Sequence, residues 1–156
     1  MIYSFPCPET DNIGGCNAFM FVDVDNVLSI PPESISGVEN PIVLKEGTSF
    51  LNGYASHGSL EFSQKIRENN AGKYFLTEIT GFYPKLSKPM FDLFSKMSLL
   101  RFIIIVTDNN GFTHRAGNLE TPLEFNFDTS PGKNPSSRNG FKFSFTGRLT
   151  GTSPLF

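Results

Sequence analysis

The chain has 156 residues, and its 13 Lys and Arg against 15 Asp and Glu leave a net charge of -2. That length suits one domain, which buries roughly 68–70% of the surface its unfolded chain exposes. The near balance of charge gives no broad basic field of the kind phosphate-backbone binding needs, so sequence-specific nucleic-acid binding is not expected.

No apolar run approaches the ~20 residues that span a bilayer, and the start MIYSFPCPETDNIGG has neither a basic opening nor an apolar stretch of signal-peptide length. No membrane partner and synthesis in the cytoplasm are the expectations. Phe is the outlying residue, 17 copies against 4 Tyr and no Trp, beside 14 Gly and 11 Pro. Many turns between short, Phe-rich strands are therefore predicted. Cys7 and Cys16 do not make a disulfide-rich scaffold; both are expected as reduced thiols, with a bridge between them as the alternative.

From Met1 to Gly53 the periodicity is weak and Pro recurs, which predicts an irregular segment with short strands near Ala18 to Val24 and Ile42 to Leu44. Residues 1–17 read as an extended N-terminal arm. From Ser59, Leu60, Phe62, Gln64 and Ile66 alternate with Glu61, Ser63, Lys65 and Arg67, the period of a strand with one wet face. Asn69, Asn70 and Gly72 then turn the chain into a second strand, Lys73 to Phe82.

Ser87 is placed to cap a short helix with Pro89 in its first turn, and Met90, Leu93, Phe94 and Met97 fall on one stripe. The next run, Arg101 to Thr107, leaves neither face polar, so both its faces should be covered, one by the helix and the other by a second sheet. Leu123, Phe125 and Phe127 alternate with polar residues, as do Phe141, Phe143 and Phe145, which predicts two paired strands sharing a phenylalanine face. Glu124 and Asp128 then stand ready to pair with Lys142 across the polar face. Residues 129–139 read as a projecting loop and 148–156 as a C-terminal tail, all within a single domain, 1–156.

The fold class expected is thus mainly β with one short helix (α+β): an antiparallel β-sandwich or rolled sheet with a flanking helix. Candidate chemistry is thin. Asn110 and Gly111 make a hairpin turn, since Asn and Gly tolerate the positive φ that tight turns need. DNNG fails the calcium-loop spacing, and DVDNV (Asp23 to Val27) lacks the Gly and Glu that would complete one, so it reads as the wet end of a strand. His57 and His114 have no zinc-site context, and Gly14 and Gly15 no phosphate-cradling pattern. A nucleophile at Cys7 or Cys16 has no local support. No catalytic, cofactor-binding or metal residue is assigned, no cofactor is expected, and the chain reads as a non-enzyme.

The succession GYASHGSLEFSQ, LTEITGFYP, a short helix, RFIIIVTDNNGFTHRAG, a PLEF strand, a Pro/Ser loop and RNGFKFSFTG, running from Gly53 to Phe156, resembles small structural proteins of phages and prophages of gut Bacteroidota. The opening SFPCPETDNIGG is similar to them more loosely. The element order is also similar to the tail-tube fold, a β-sandwich with a flanking helix that oligomerises into stacked rings. The resemblance implies a virion protein, a homo-oligomeric ring subunit in contact with other virion proteins, through which DNA passes. On that reading the arm and the long loop grip neighbours, and Phe5, Pro6, Lys133, Asn134 and Arg138 are the expected assembly contacts. A mildly acidic chain suits such a conduit, because a basic lining would hold phosphates. The alternative is a monomeric β-sandwich module that displays Tyr54, His57, Phe112 and His114 to a glycan or small ligand.

Overall fold

The computed structural model describes residues 2–6, 19–30, 42–56, 58–107, 113–130 and 139–149. Alternating sequence becomes strand: β1 (Phe19–Asp23), β2 (Val27–Ser29), β3 (Val43–Leu44), β4 (Leu51–Gly53), β5 (Glu61–Asn69), β6 (Gly72–Pro84), β7 (Arg101–Thr107), β8 (Thr113–Ala116), β9 (Leu123–Ser130) and β10 (Gly140–Leu149). The helix α1 (Lys88–Met97) sits between β6 and β7. Among the described residues, eight strands form one antiparallel sheet in the order β4-β1-β7-β9-β10-β6-β5, with β8 also on β7, while β2 and β3 form a separate pair.

One edge of β7 is divided between two neighbours. Arg101 and Phe102 pair with Glu124 and Leu123 of β9, and Ile104 to Thr107 pair with β8. The sheet rolls over at that division, and the rings of β1 and β7 come to face those of β10: Phe19 lies 5.7 Å from Phe143, Phe21 6.3 Å and Phe102 5.9 Å from Phe145. The sandwich-like, β-rich α+β fold expected from the alternation is the one observed. Phe125 stands opposite Phe145 and Phe127 opposite Phe143, so β9 and β10 do share one phenylalanine face.

Aromatic packing leaves no room for side chains on two of the glycines. A Cβ at Gly53 would run into the Phe19 ring, and one at Gly81 would stand 2.7 Å from the Phe143 ring. Large rings stacked over bare backbone fill a core without voids, which is what dense packing demands.

The helix begins where the sequence says: the Ser87 hydroxyl oxygen accepts from the Met90 N–H at 3.4 Å, and Met90, Leu93, Phe94 and Met97 are buried. Phe94 seats the helix on the ring cluster, with centroids 5.0 Å from Phe5 and Phe141 and 5.2 Å from Phe125. The other face of β7 is covered as expected, but by the small sheet. Ile103 is buried with Val22 and Val27, against Ile42 and Leu44.

Several boundaries shift. β1 ends at Asp23, where the side chain accepts from the Asp25 N–H at 3.0 Å and starts a single 3-10 turn, so Val24 is not in the strand. β6 runs on to Pro84 because β10 pairs with it to the end, Gly140 opposite Pro84. β9 takes Thr129 and Ser130 from the expected loop, and β10 takes Arg148 and Leu149 from the expected tail. Arg148 then lies over the Tyr74 ring, 5.1 Å from its centre. Glu124 stands across from Thr146 and forms its ion pair at 3.2 Å with Arg101, while Lys142 faces Asp128.

Candidate assembly surfaces

The two ends of the large sheet are built differently. At the β4 end, the arm lies along the strand: the Phe5 N–H donates to the Asn52 carbonyl at 2.8 Å, and the Asn52 N–H donates to the Ser4 hydroxyl at 3.0 Å. The Tyr83 hydroxyl fastens the same segment by donating to the Pro6 carbonyl at 2.7 Å, and the Tyr3 hydroxyl reaches the Pro89 carbonyl at 3.3 Å. Backbone groups that an edge strand would present to strangers are occupied here by the chain itself.

This corrects the expectation for Phe5. Its ring is 5% exposed and lies within ring-contact distance of Phe19, Phe21, Tyr83, Phe94 and Phe143, so it completes this chain's own core. Pro6 beside it is exposed. Residues Lys133, Asn134 and Arg138 lie outside the described residues, as do Asn110 and Gly111, Cys7 and Cys16. The loop's base is described: Asn139 accepts from the Lys85 N–H through its carbonyl, 2.8 Å, and from the Leu86 N–H through its side chain, 3.0 Å. Strands β7 and β8 on either side of Asn110 and Gly111 pair antiparallel up to Thr107 opposite Thr113.

At the other end of the sheet stands β5, nine residues long and, among the described residues, last in the strand order. Its pairing with β6 runs without a slip from Glu61 opposite Thr80 to Asn69 opposite Gly72. Beyond Gln64 the strand leaves the core: Lys65, Ile66, Arg67, Glu68 and Asn69 are all exposed, Ile66 at 62%. The turn end of the β5 and β6 hairpin, Lys65 to Lys73, is therefore exposed.

Of the four residues of the ligand-display alternative, two are described, and neither is fully exposed. Tyr54 is 4% exposed with its ring 5.9 Å from that of Tyr83, which corrects the expectation that it faces a ligand. His114 is half-buried and stacks on Phe62 at 4.9 Å; His57 and Phe112 lie outside the described residues. An open groove of about 650 Å³, lined by Ile2, Leu51, Leu99 and Leu100 with Asp23 and Lys96, was not legible in the sequence, because its walls come from four distant segments. Among the described residues no group of three or more His, Cys, Asp or Glu is arranged to hold a metal ion, and no helix is long and apolar enough to cross a membrane. Comparison with protein families, with curated proteins and with solved structures gave no match.

Proposed function

We propose that the chain is a non-enzymatic structural subunit of a phage virion, a tail component that assembles with copies of itself into rings or a tube through which DNA passes. The observation that carries the reading is the contrast between the sheet's two ends among the described residues: the arm occupies β4, while β5 stands last in the strand order with its turn half exposed. A row of outward N–H and C=O groups is a template for another strand, and a long edge of this kind is costly to leave open unless assembly uses it. The sandwich-like fold with its flanking helix and the sequence pattern from Gly53 onward support the same reading. The mild net negative charge of -2 supports passage of DNA without retention.

The test is assembly of the purified protein. Analytical ultracentrifugation and negative-stain imaging are expected to reveal rings or stacked rings, alone or on addition of virion proteins encoded beside it. A species that stays monomeric at high concentration, with and without those proteins, rejects the proposal.

A further inference from the structure

The turn end of the β5 and β6 hairpin and the groove beside Leu99 are exposed surfaces of matching composition. The Gln64 side chain donates to the Thr77 hydroxyl at 3.3 Å, which places the even residues of β5 and the odd residues of β6 on one face of the hairpin. Phe62 packs that face on the core, but toward the turn it carries Ile66 opposite Phe75 and then Glu68 opposite Lys73. Ile66 is 62% exposed there, and Glu68 and Lys73 are exposed as well. Among the described residues neither of those two charges joins an ion pair.

The groove of about 650 Å³ has room for several side chains, and its aliphatic lining is joined by one side chain of each charge, Asp23 and Lys96. Leu99, just beyond the end of α1, is 81% exposed. No residue of β5 or β6 lines the groove, so the hairpin does not fill the groove of its own chain. Each surface thus offers exposed aliphatic area with one acid and one base beside it. Seating Ile66 on Leu99 removes both from water, and the charges choose the orientation: one sets Glu68 toward Lys96 and Lys73 toward Asp23, whereas the reverse sets like against like.

We propose that the hairpin end of one copy of this chain docks in the groove of a second copy, with Ile66 on Leu99, Glu68 beside Lys96 and Lys73 beside Asp23. The docking rests on the reading that copies of this chain associate, and it names the surfaces that meet. Hairpin end and groove are different parts of the surface, so the contact is head-to-tail and repeats from copy to copy until a ring closes. Burial of the aliphatic side chains supplies the affinity; exposed ion pairs contribute little energy and fix the orientation.

Ile66→Asp and Leu99→Asp, made separately in the full chain, test the contact by analytical ultracentrifugation. Both side chains are exposed in the single chain, so each variant is expected to unfold in urea as the parent does. Each is expected to weaken association about tenfold or more, because docking would bury a carboxylate in an aliphatic contact. An equimolar mixture of the two is expected to form dimers and stop there, since the intact hairpin end of the Leu99→Asp chain meets the intact groove of the Ile66→Asp chain. A two-fold contact containing both residues would gain nothing from mixing. Lys96→Glu is expected to weaken association and Glu68→Lys in the same chain to restore it, a rescue that a misfolded variant would not give. Asp23 is left intact because its carboxylate starts the 3-10 turn. Rings or higher assemblies indifferent to Ile66→Asp and Leu99→Asp overturn the docking and leave the assembly reading standing. Variants that fail to dimerise on mixing, from a parent that assembles, also overturn the docking alone. A parent chain that is monomeric under all conditions overturns both.

Discussion

Phe94 holds more of the molecule together than any feature of its own short helix suggests. Its ring touches rings from the arm, β6, β9 and β10, and it is fully buried. Phe94→Ala leaves a cavity among groups fixed by four elements, and we expect a loss of about 3–5 kcal/mol in urea unfolding. Lys85 tests backbone strain and not packing. It holds a φ of 70° between β6 and the helix, fixed there by its N–H bond to Asn139. A β-branched side chain is least tolerated in that region, so Lys85→Val should cost about 1–2 kcal/mol, while Lys85→Gly should leave stability equal or higher. Equal losses for both variants would assign the effect to the lost Lys side chain instead.

At the level of elements, the contrast between the helix cap and the charged pair on β7 and β9 is informative. Ser87 satisfies the Met90 N–H at the start of α1, a donor with no partner inside the helix, so Ser87→Ala should cost about 1 kcal/mol in thermal or urea unfolding. Arg101 and Glu124 meet at 3.2 Å, but their side chains are 45% and 58% exposed. Water and salt screen such a pair, so Arg101→Gln should change stability by less than about 1 kcal/mol, and less still at high salt. The helix itself was readable because a capping Ser, an early Pro and a stripe at helical spacing all fall within a dozen residues. The partner of Glu124 was not, because Arg101 lies on a strand far away in sequence and reaches β9 only where the sheet rolls over.

For the whole molecule, the arm decides how much surface is left for association. Alternation gave Phe5 no strand to belong to, and the resemblance to ring-forming tail proteins implied a grip on neighbours; folded, the ring fills space between β1, β10 and the helix. Phe5→Ala should therefore lower the stability of the isolated chain by about 3 kcal/mol or more, measured at concentrations where it is monomeric, whereas Pro6→Ala should leave it within about 0.5 kcal/mol. An unchanged unfolding curve for Phe5→Ala would return the residue to the surface and to the role of an intermolecular contact.

For β9, β10 and the helix, the sequence by itself determined which residues face inward, since period-two alternation and a helical stripe are local consequences of backbone geometry. The two-faced burial of β7, the shared phenylalanine face of β9 and β10 and the capped start of α1 all follow from that. Tertiary structure alone decided which strand lies beside which: that the small sheet covers Ile103, that β7 divides an edge between β8 and β9, that Phe5 closes the core, and that β5 is left last in the sheet. Alternation records a side chain's preference for the interior but carries no label for the neighbour it meets there, and neighbours far apart in the chain are chosen by the shape and volume of the space that remains to be filled.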